Sequence, residues 1–410
     1  MLPWFRRALG LTPRASAPAD RPIEASAVVT FAATSANAFA FDLLAKLDAS
    51  ENLALSPASI ALGLVMTWSG ARGDTAASMR AVLHLADDDS EVLTQWADLT
   101  RALQDPARPF VLRIANRLFV DAGYTLEPGF VEQTAARFGA PLEGVDFRAA
   151  PEAARATVNA WVEDRTQRRI RDLLPSGCIT SLTRLALVNA LYFLADWADP
   201  FEKSATHSAR FHVSPATTKT VPTMHRTASY RVARGDGAMV LEIPCIGHDV
   251  AILVVLPDRR DGLADAERAI SGARLAAWRA ALAPQHVALA LPRFEVDLAT
   301  PLALREPLAS LGMGVAFDPA KADFTGIAAP RDPGDELCIA DVFHKAFVRV
   351  DEKGTEAAAA TAVVMMMRGM PDAAPQALPF RVDHPFLFVI VEQSTGLALF
   401  VGRVVDPSAR

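Results

Sequence analysis

Near the C-terminus a strand-like run, His344 to Val350, leads into the segment Asp351 to Gly369, DEKGTEAAAATAVVMMMRG. Between Thr355 and Met367 its one charge is Glu356, and it shows no polar face at the ~3.6-residue period of a surface helix. Read as a strand it alternates. Thr355, Ala357, Ala359, Thr361, Val363 and Met365 share one face, and Glu356, Ala358, Ala360, Ala362 and Val364 share the other. The charge then falls on the face that can stay wet. The segment fits two states, an exposed loop or a central strand buried on one face. Arg368, a lone cation at its end, suits a trypsin-like protease, whose specificity pocket carries an Asp.

Strands are plentiful in the rest of the chain. Leu185 to Phe193 is almost wholly apolar, as a strand covered on both faces would be. Further strands read over 52–55, 112–120, 211–213, 221–225, 239–243, 250–256, 287–291, 294–298, 337–350 and 386–401. Ser56 and Pro57 supply a cap and a first-turn proline for a helix from Ala58 to Ser69, which Gly70 stops. Asp74 is expected to cap a second helix through Leu83. Helical spacing also covers 28–47, 92–103, 127–138 and 305–311, the last ended by Gly312. Pro151 to Leu174 reads as one long amphipathic helix with Val158, Trp161, Val162 and Ile170 on one side. Long strands mixed with helices, with few clean βαβ alternations, predict an α+β fold.

With 410 residues, 51% hydrophobic and 21% charged, the chain can bury a large core. A net charge of −6 leaves no basic surplus for nucleic acid. The longest apolar run, Leu185 to Ala195, is broken by Asn189 and falls short of the ~18 residues of a membrane helix. Cys178, Cys245 and Cys338 are odd in number and widely spaced, so they read as small buried hydrophobes and not as a disulfide framework. Residues 1–26 are rich in Pro and Ala. Arg6 and Arg7 there are not followed by the apolar core of a secretory signal, so this is expected to be a disordered tail before a single domain over 27–410. Six lysines against 35 arginines, with heavy alanine usage, fit a GC-rich bacterial coding sequence.

Enzyme motifs are missing: the chain has no GxSxG, HExxH or GxxxxGK[ST] pattern. His207, His212 and His225 lack the paired cysteines or supporting pattern of a metal site. Neither catalysis nor a cofactor is expected. Four polar residues, Ser56, Ser59, Asn189 and His344, sit in otherwise apolar segments. Buried polar groups need partners, so the four either bond one another or are satisfied separately.

The run Glu352 to Val364 resembles the hinge and reactive-centre loop of the serpins, a family of serine protease inhibitors. Phe380 to Ile390 resembles their C-terminal signature, and the similarity covers about residues 30 to 405. The resemblance implies about nine helices around three sheets, one of them dominant, with a reactive loop over about 352–379. It implies a suicide inhibitor. Counting from Glu352 at the family's usual spacing places the cleaved bond between Arg368 and Gly369. Met367 is the alternative and points to chymotrypsin-like targets. Cleavage then lets the hinge, Glu352, Gly354, Thr355, Glu356, Ala357, Ala358, Ala359 and Ala360, enter the main sheet while the protease is held as an acyl-enzyme.

The resemblance also places Ser56, Ser59, Asn189 and His344 beneath the main sheet, where its strands part. Trp197, Arg293 and Glu352 fall at its top, where insertion begins, and Leu194 and Ala195 stand where the family usually has Lys and Gly. Before insertion Thr355 is expected in a loop or at a sheet edge, where an arginine would be tolerated. Asp87 to Asp89 occupies a region that is basic in some serpins, so a heparin-like polyanion is not expected. The implied partner is a trypsin-like serine protease, captured covalently by a monomer. The family resemblance points to an extracellular or exported protein; the lack of a clear signal leaves the cytoplasm as the alternative. The rival from another class is a non-inhibitory serpin acting as a carrier or chaperone. A protease is the weakest rival.

Overall fold

The computed structural model describes residues 27–355 and 376–409, apart from positions 49, 141, 299, 331, 333 and 334. The N-terminal tail, Glu356 to Ala360, Met367 and the Arg368–Gly369 bond lie outside the described residues.

The chain opens with α1 (Ala27–Leu44), β1 (Leu53–Leu55), α2 (Pro57–Trp68), α3 (Gly73–Val82) and α4 (Asp89–Leu103). There follow β2 (Val111–Asp121), α5 (Pro128–Phe138), β3 (Glu143–Val145), α6 (Pro151–Arg165) and β4 (Leu185–Asp196). Four strands come next: β5 (Thr206–His212), β6 (Thr218–Gly235), β7 (Ala238–Pro244) and β8 (Val250–Pro257). Two helices, α7 (Leu263–Ala269) and α8 (Gly272–Ala281), precede β9 (Ala283–Pro292), β10 (Phe294–Asp297), β11 (Leu302–Ala303) and α9 (Arg305–Leu308). The chain closes with β12 (Ile339–Val350), β13 (Gly354–Thr355), β14 (Leu378–Arg381), β15 (Phe386–Glu392) and β16 (Ala398–Val404).

Seven strands form the sheet that concerns function, in the order β10-β12-β4-β2-β3, with β11 on β12 and β13 on β4. β4 carries no charge before Asp196, and nearly all of it is buried, so it takes a central place. Its two faces meet different cores. Leu185, Leu187, Leu191, Phe193 and Ala195 join the main core. Ala186, Val188 and Ala190 lie with Val158 and Val162 of α6. β12 runs parallel to β4 up to the pair Phe347 and Tyr192, while β2 flanks β4 antiparallel along its length.

The other sheet orders β1-β16-β15-β8-β7-β6-β9-β14, with β5 on β6. The second and third expected sheets are here one hydrogen-bonded surface. The 18-residue β6 joins them, its first half pairing β5 and its second half β7. No helix among the described residues is long and apolar enough to cross a membrane.

Three local expectations are corrected. Asp74 is not a cap: the cap position is Arg72, which makes no side-chain bond, and Asp74 lies inside the first turn, where its charge still suits the helix dipole. The helix from Pro151 stops at Arg165, because Gln167 and Arg168 turn left-handed at φ 53° and 60°. Asn159 then holds the returning chain, donating to the carbonyl of Leu174 at 3.0 Å and accepting from its amide at 2.8 Å. Ile170, Leu173 and Leu174 thus reach the core without being helical. Finally, α7 and α8 were not foreseen, although Ser271 accepts from the amide of Arg274 as an ordinary N-cap.

Candidate functional site

The site begins beneath β4. Ser56 caps α2, its hydroxyl accepting from the amide of Ser59 at 3.3 Å, and Pro57 sits in the first turn. That start is wholly buried and aimed at the sheet, so its polar groups need partners there. The Ser56 amide donates to Nε2 of His344 at 3.0 Å. Nε2 therefore carries the lone pair, and Nδ1–H donates to Oδ1 of Asn189 at 2.5 Å. The Asn189 amide donates to Ser59 Oγ at 2.7 Å and to Asn116 Oδ1 at 2.6 Å. Ser59 Oγ donates to Asn116 Oδ1 at 3.0 Å, and the Asn116 amide returns a bond to the Ser59 carbonyl at 2.8 Å.

The structure thus brings Ser56, Ser59, Asn189 and His344 into one network, and adds Asn116 of β2, which the sequence reading missed. The network ties α2 to β2, β4 and β12. Burial pushes the His344 imidazole down to about 3, from an ordinary value of 6.5. It is neutral at any ordinary pH, as its acceptor role requires.

Above the pair Phe347 and Tyr192, β12 and β4 no longer pair, and β13 enters beside β4. Gly354 lies opposite Asp196 and Thr355 opposite Ala195. The hydroxyl of Thr355 accepts from the Ala195 amide at 2.8 Å and donates to its carbonyl at 3.1 Å. Thr355 is 1% exposed. This corrects the expectation of a loop or edge position tolerant of arginine: the residue is already buried in the sheet. Gly354 is required by close approach. Its φ is +156°, and a Cβ would lie 2.1 Å from the Ala195 carbonyl oxygen.

The chain before β13 is held at several points. Trp197, fully buried, donates through its ring nitrogen to the Asp351 carbonyl at 2.8 Å and through its amide to the Lys353 carbonyl at 2.8 Å. The Phe201 amide donates to the Glu352 carbonyl at 2.8 Å. The Glu352 carboxylate, almost wholly buried, accepts from Thr206 Oγ1 at 2.5 Å and from both Nε (2.7 Å) and Nη2 of Arg293. Burial alone would raise its pKa. The bonds from Thr206 and Arg293 outweigh burial and hold it below the ordinary 4.5. Trp197, Arg293 and Glu352 are therefore brought together at the head of the opening between β12 and β4.

The hydroxyls and the imidazole of the network bond one another, and among the described residues no group of three or more His, Cys, Asp or Glu could hold a metal ion. Comparisons with known proteins identify the family. Residues 34–407 match the family model described as serpin (serine protease inhibitor). An uncharacterised serpin-like protein of Thermococcus kodakarensis is 37% identical over 374 residues, 90% of this chain and 84% of that protein. The leukocyte elastase inhibitor of Equus caballus is 35% identical over 384 residues, 90% of this chain and 97% of its own length. Among solved structures, human thyroxine-binding globulin complexed with thyroine superposes with a TM-score of 0.84 at 27% identity, covering 93% of this chain and all of that one. Uncleaved ovalbumin gives 0.83 at 28% identity, covering 92% and 99%. With the family model spanning nearly its whole length, this chain belongs to the serpin family of serine protease inhibitors.

Proposed function

We propose that the protein is a suicide inhibitor of trypsin-like serine proteases, with Arg368 as bait. The protease serine attacks the Arg368 carbonyl, the amide bond to Gly369 breaks, and the amine of Gly369 leaves with a proton from the protease's histidine. Arg368 remains as an ester on the protease. The freed hinge then enters between β12 and β4 and carries the protease with it. Serpin loop insertion is itself a known instance of this kind of strand addition.

The observation that carries the reading is the pairing of Gly354 and Thr355 with β4, in an antiparallel register that needs only to be extended. Continued down β4, that register sets Ala357 against Phe193, Ala359 against Leu191, Thr361 against Asn189, Val363 against Leu187 and Met365 against Leu185. These partners face the main core. Thr361 falls at the polar network, where a hydroxyl can be satisfied. On the other face Ala358, Ala360, Ala362 and Val364 fall against Tyr192, Ala190, Val188 and Ala186, largely under α6. That face is covered, not wet, and this accounts for the small residues. Glu356 falls against the half-buried Leu194 near the open top.

Each inserted residue spans ~3.4 Å and gains ladder bonds on both sides, so the uncleaved fold is held by a barrier and not by equilibrium. The test is calorimetry of intact and cleaved protein: cleavage should raise the melting temperature by tens of degrees. An unchanged midpoint would favour a non-inhibitory carrier, the reading to which the likeness to thyroxine-binding globulin lends support.

A further inference from the structure

The far end of the opening between β12 and β4 is closed by charged side chains. Asp335 precedes β12 and reaches across to the other side. Its Oδ1 accepts from Nε of Arg184, the residue before β4, at 2.9 Å. Its Oδ2 accepts from Nη2 of Arg148, in the chain after β3, at 2.5 Å. Its backbone carbonyl accepts from the hydroxyl of Tyr124, just after β2, at 2.8 Å. Arg148 is braced in turn by Asp121, the last residue of β2, at 2.9 Å, and its guanidinium lies 5.6 Å from the centre of the Tyr124 ring.

These partners share one property: each adjoins β4, β2 or β3 in the chain, whereas Asp335 adjoins β12. The Asp335 and Arg184 side chains are only 15% and 17% exposed, so the pair is poorly screened. Although burial works to raise the Asp335 carboxyl, the bonds from Arg148 and Arg184 hold it below its ordinary value. Neighbouring strands lie ~4.8 Å apart, and a strand inserted between them doubles that spacing. Hydrogen bonds of 2.5–2.9 Å do not survive the change.

We propose that Asp335 is a latch. Its bonds to Arg184, Arg148 and Tyr124 hold β12 against β4 at the base of the opening, and they must break before the last inserted residues seat. The proposal rests on the insertion reading. The register that places Met365 against Leu185 makes the latch act late, after the hinge has entered, so it adds to the barrier that keeps the intact protein uninserted.

The test follows conversion of intact protein, held a fixed interval below its own melting midpoint, to a form that resists denaturant. Asp335→Asn keeps the shape and removes the charge; it should convert about tenfold faster than wild type. Arg184→Gln should do the same from the opposite side, and the double variant should be far less than additive. Glu267→Gln serves as the control. It removes the partner of buried Arg403 at 2.7 Å, on α7 and β16, away from both strands of the opening, and should lower the midpoint without speeding conversion. If cleaved wild type gains no stability, the insertion reading fails and the latch falls with it. If cleaved wild type does gain stability but Asp335→Asn converts no faster than wild type or Glu267→Gln, the latch alone is wrong.

Discussion

Thr355 and Ala195 lie opposite each other on β13 and β4, and one hydroxyl bonds both the amide and the carbonyl of Ala195, at 2.8 and 3.1 Å. Under the proposed insertion, this pair is the point from which strand addition extends. An arginine at 355 would have to seat an unpaired guanidinium in a packed interior, at a cost of several kcal/mol. Thr355→Arg should detach Gly354 and Thr355 from β4 and stall insertion. The variant should be cleaved after Arg368 yet form no denaturant-stable protease complex on a gel. Glu356→Arg, which the proposed register sets on the opposite face near the open top, should do far less. Equal behaviour of the two would overturn the assignment of faces.

Asn116 is central to the polar network beneath the sheet. Replacing it with Ala removes acceptors for Ser59 and Asn189 and a donor to the Ser59 carbonyl. Buried groups left without partners cost about 1–3 kcal/mol each. Urea titration of Asn116→Ala should show a loss of about 2–5 kcal/mol. A loss below about 1 kcal/mol would mean that water or a neighbour replaces the side chain.

His344 makes stability depend on pH in a definite direction. Its folded pKa is about 3, against 6.5 for the free group. Below ~6.5 the unfolded chain takes up a proton that the folded protein refuses, so stability falls progressively as pH drops from 6.5 toward 3. Depressed carboxylates such as Glu352 and Glu392 add their own losses, but only from about 4.5 downward. Asp249 and Asp341, raised by burial, act in the opposite sense, so the histidine's part is read from the difference between wild type and a variant between pH 6.5 and 5. Over that window His344→Gln should flatten the decline in melting temperature relative to wild type. Parallel curves would contradict the assignment.

Much of this was legible in the sequence. The uncharged run of β4 announced a buried central strand, Ser56-Pro57 announced the start of α2, and polar residues in apolar runs marked most of the network. Asn116 carried the same signal and was missed: by strand alternation it shares a face of β2 with Leu112, Ile114, Leu118 and Val120, opposite to Arg113 and Arg117, so it is a polar residue on an apolar face. The depth of Thr355 was hidden, because it depends on β12 and β4 parting above Phe347 and Tyr192, a tertiary gap with no local mark. The overlong helix at Pro151 has a similar cause: the apolar spacing persists past Arg165, but Asn159 folds the chain back.

The central claim is tested most directly by incubating the intact protein with trypsin, followed by denaturing electrophoresis and mass analysis of the released peptide. The account predicts a covalent complex that survives denaturant and a peptide beginning at Gly369, both lost in Arg368→Ala. Complete cleavage without any complex would contradict inhibition, and a peptide beginning at Arg368 would move the bait to Met367.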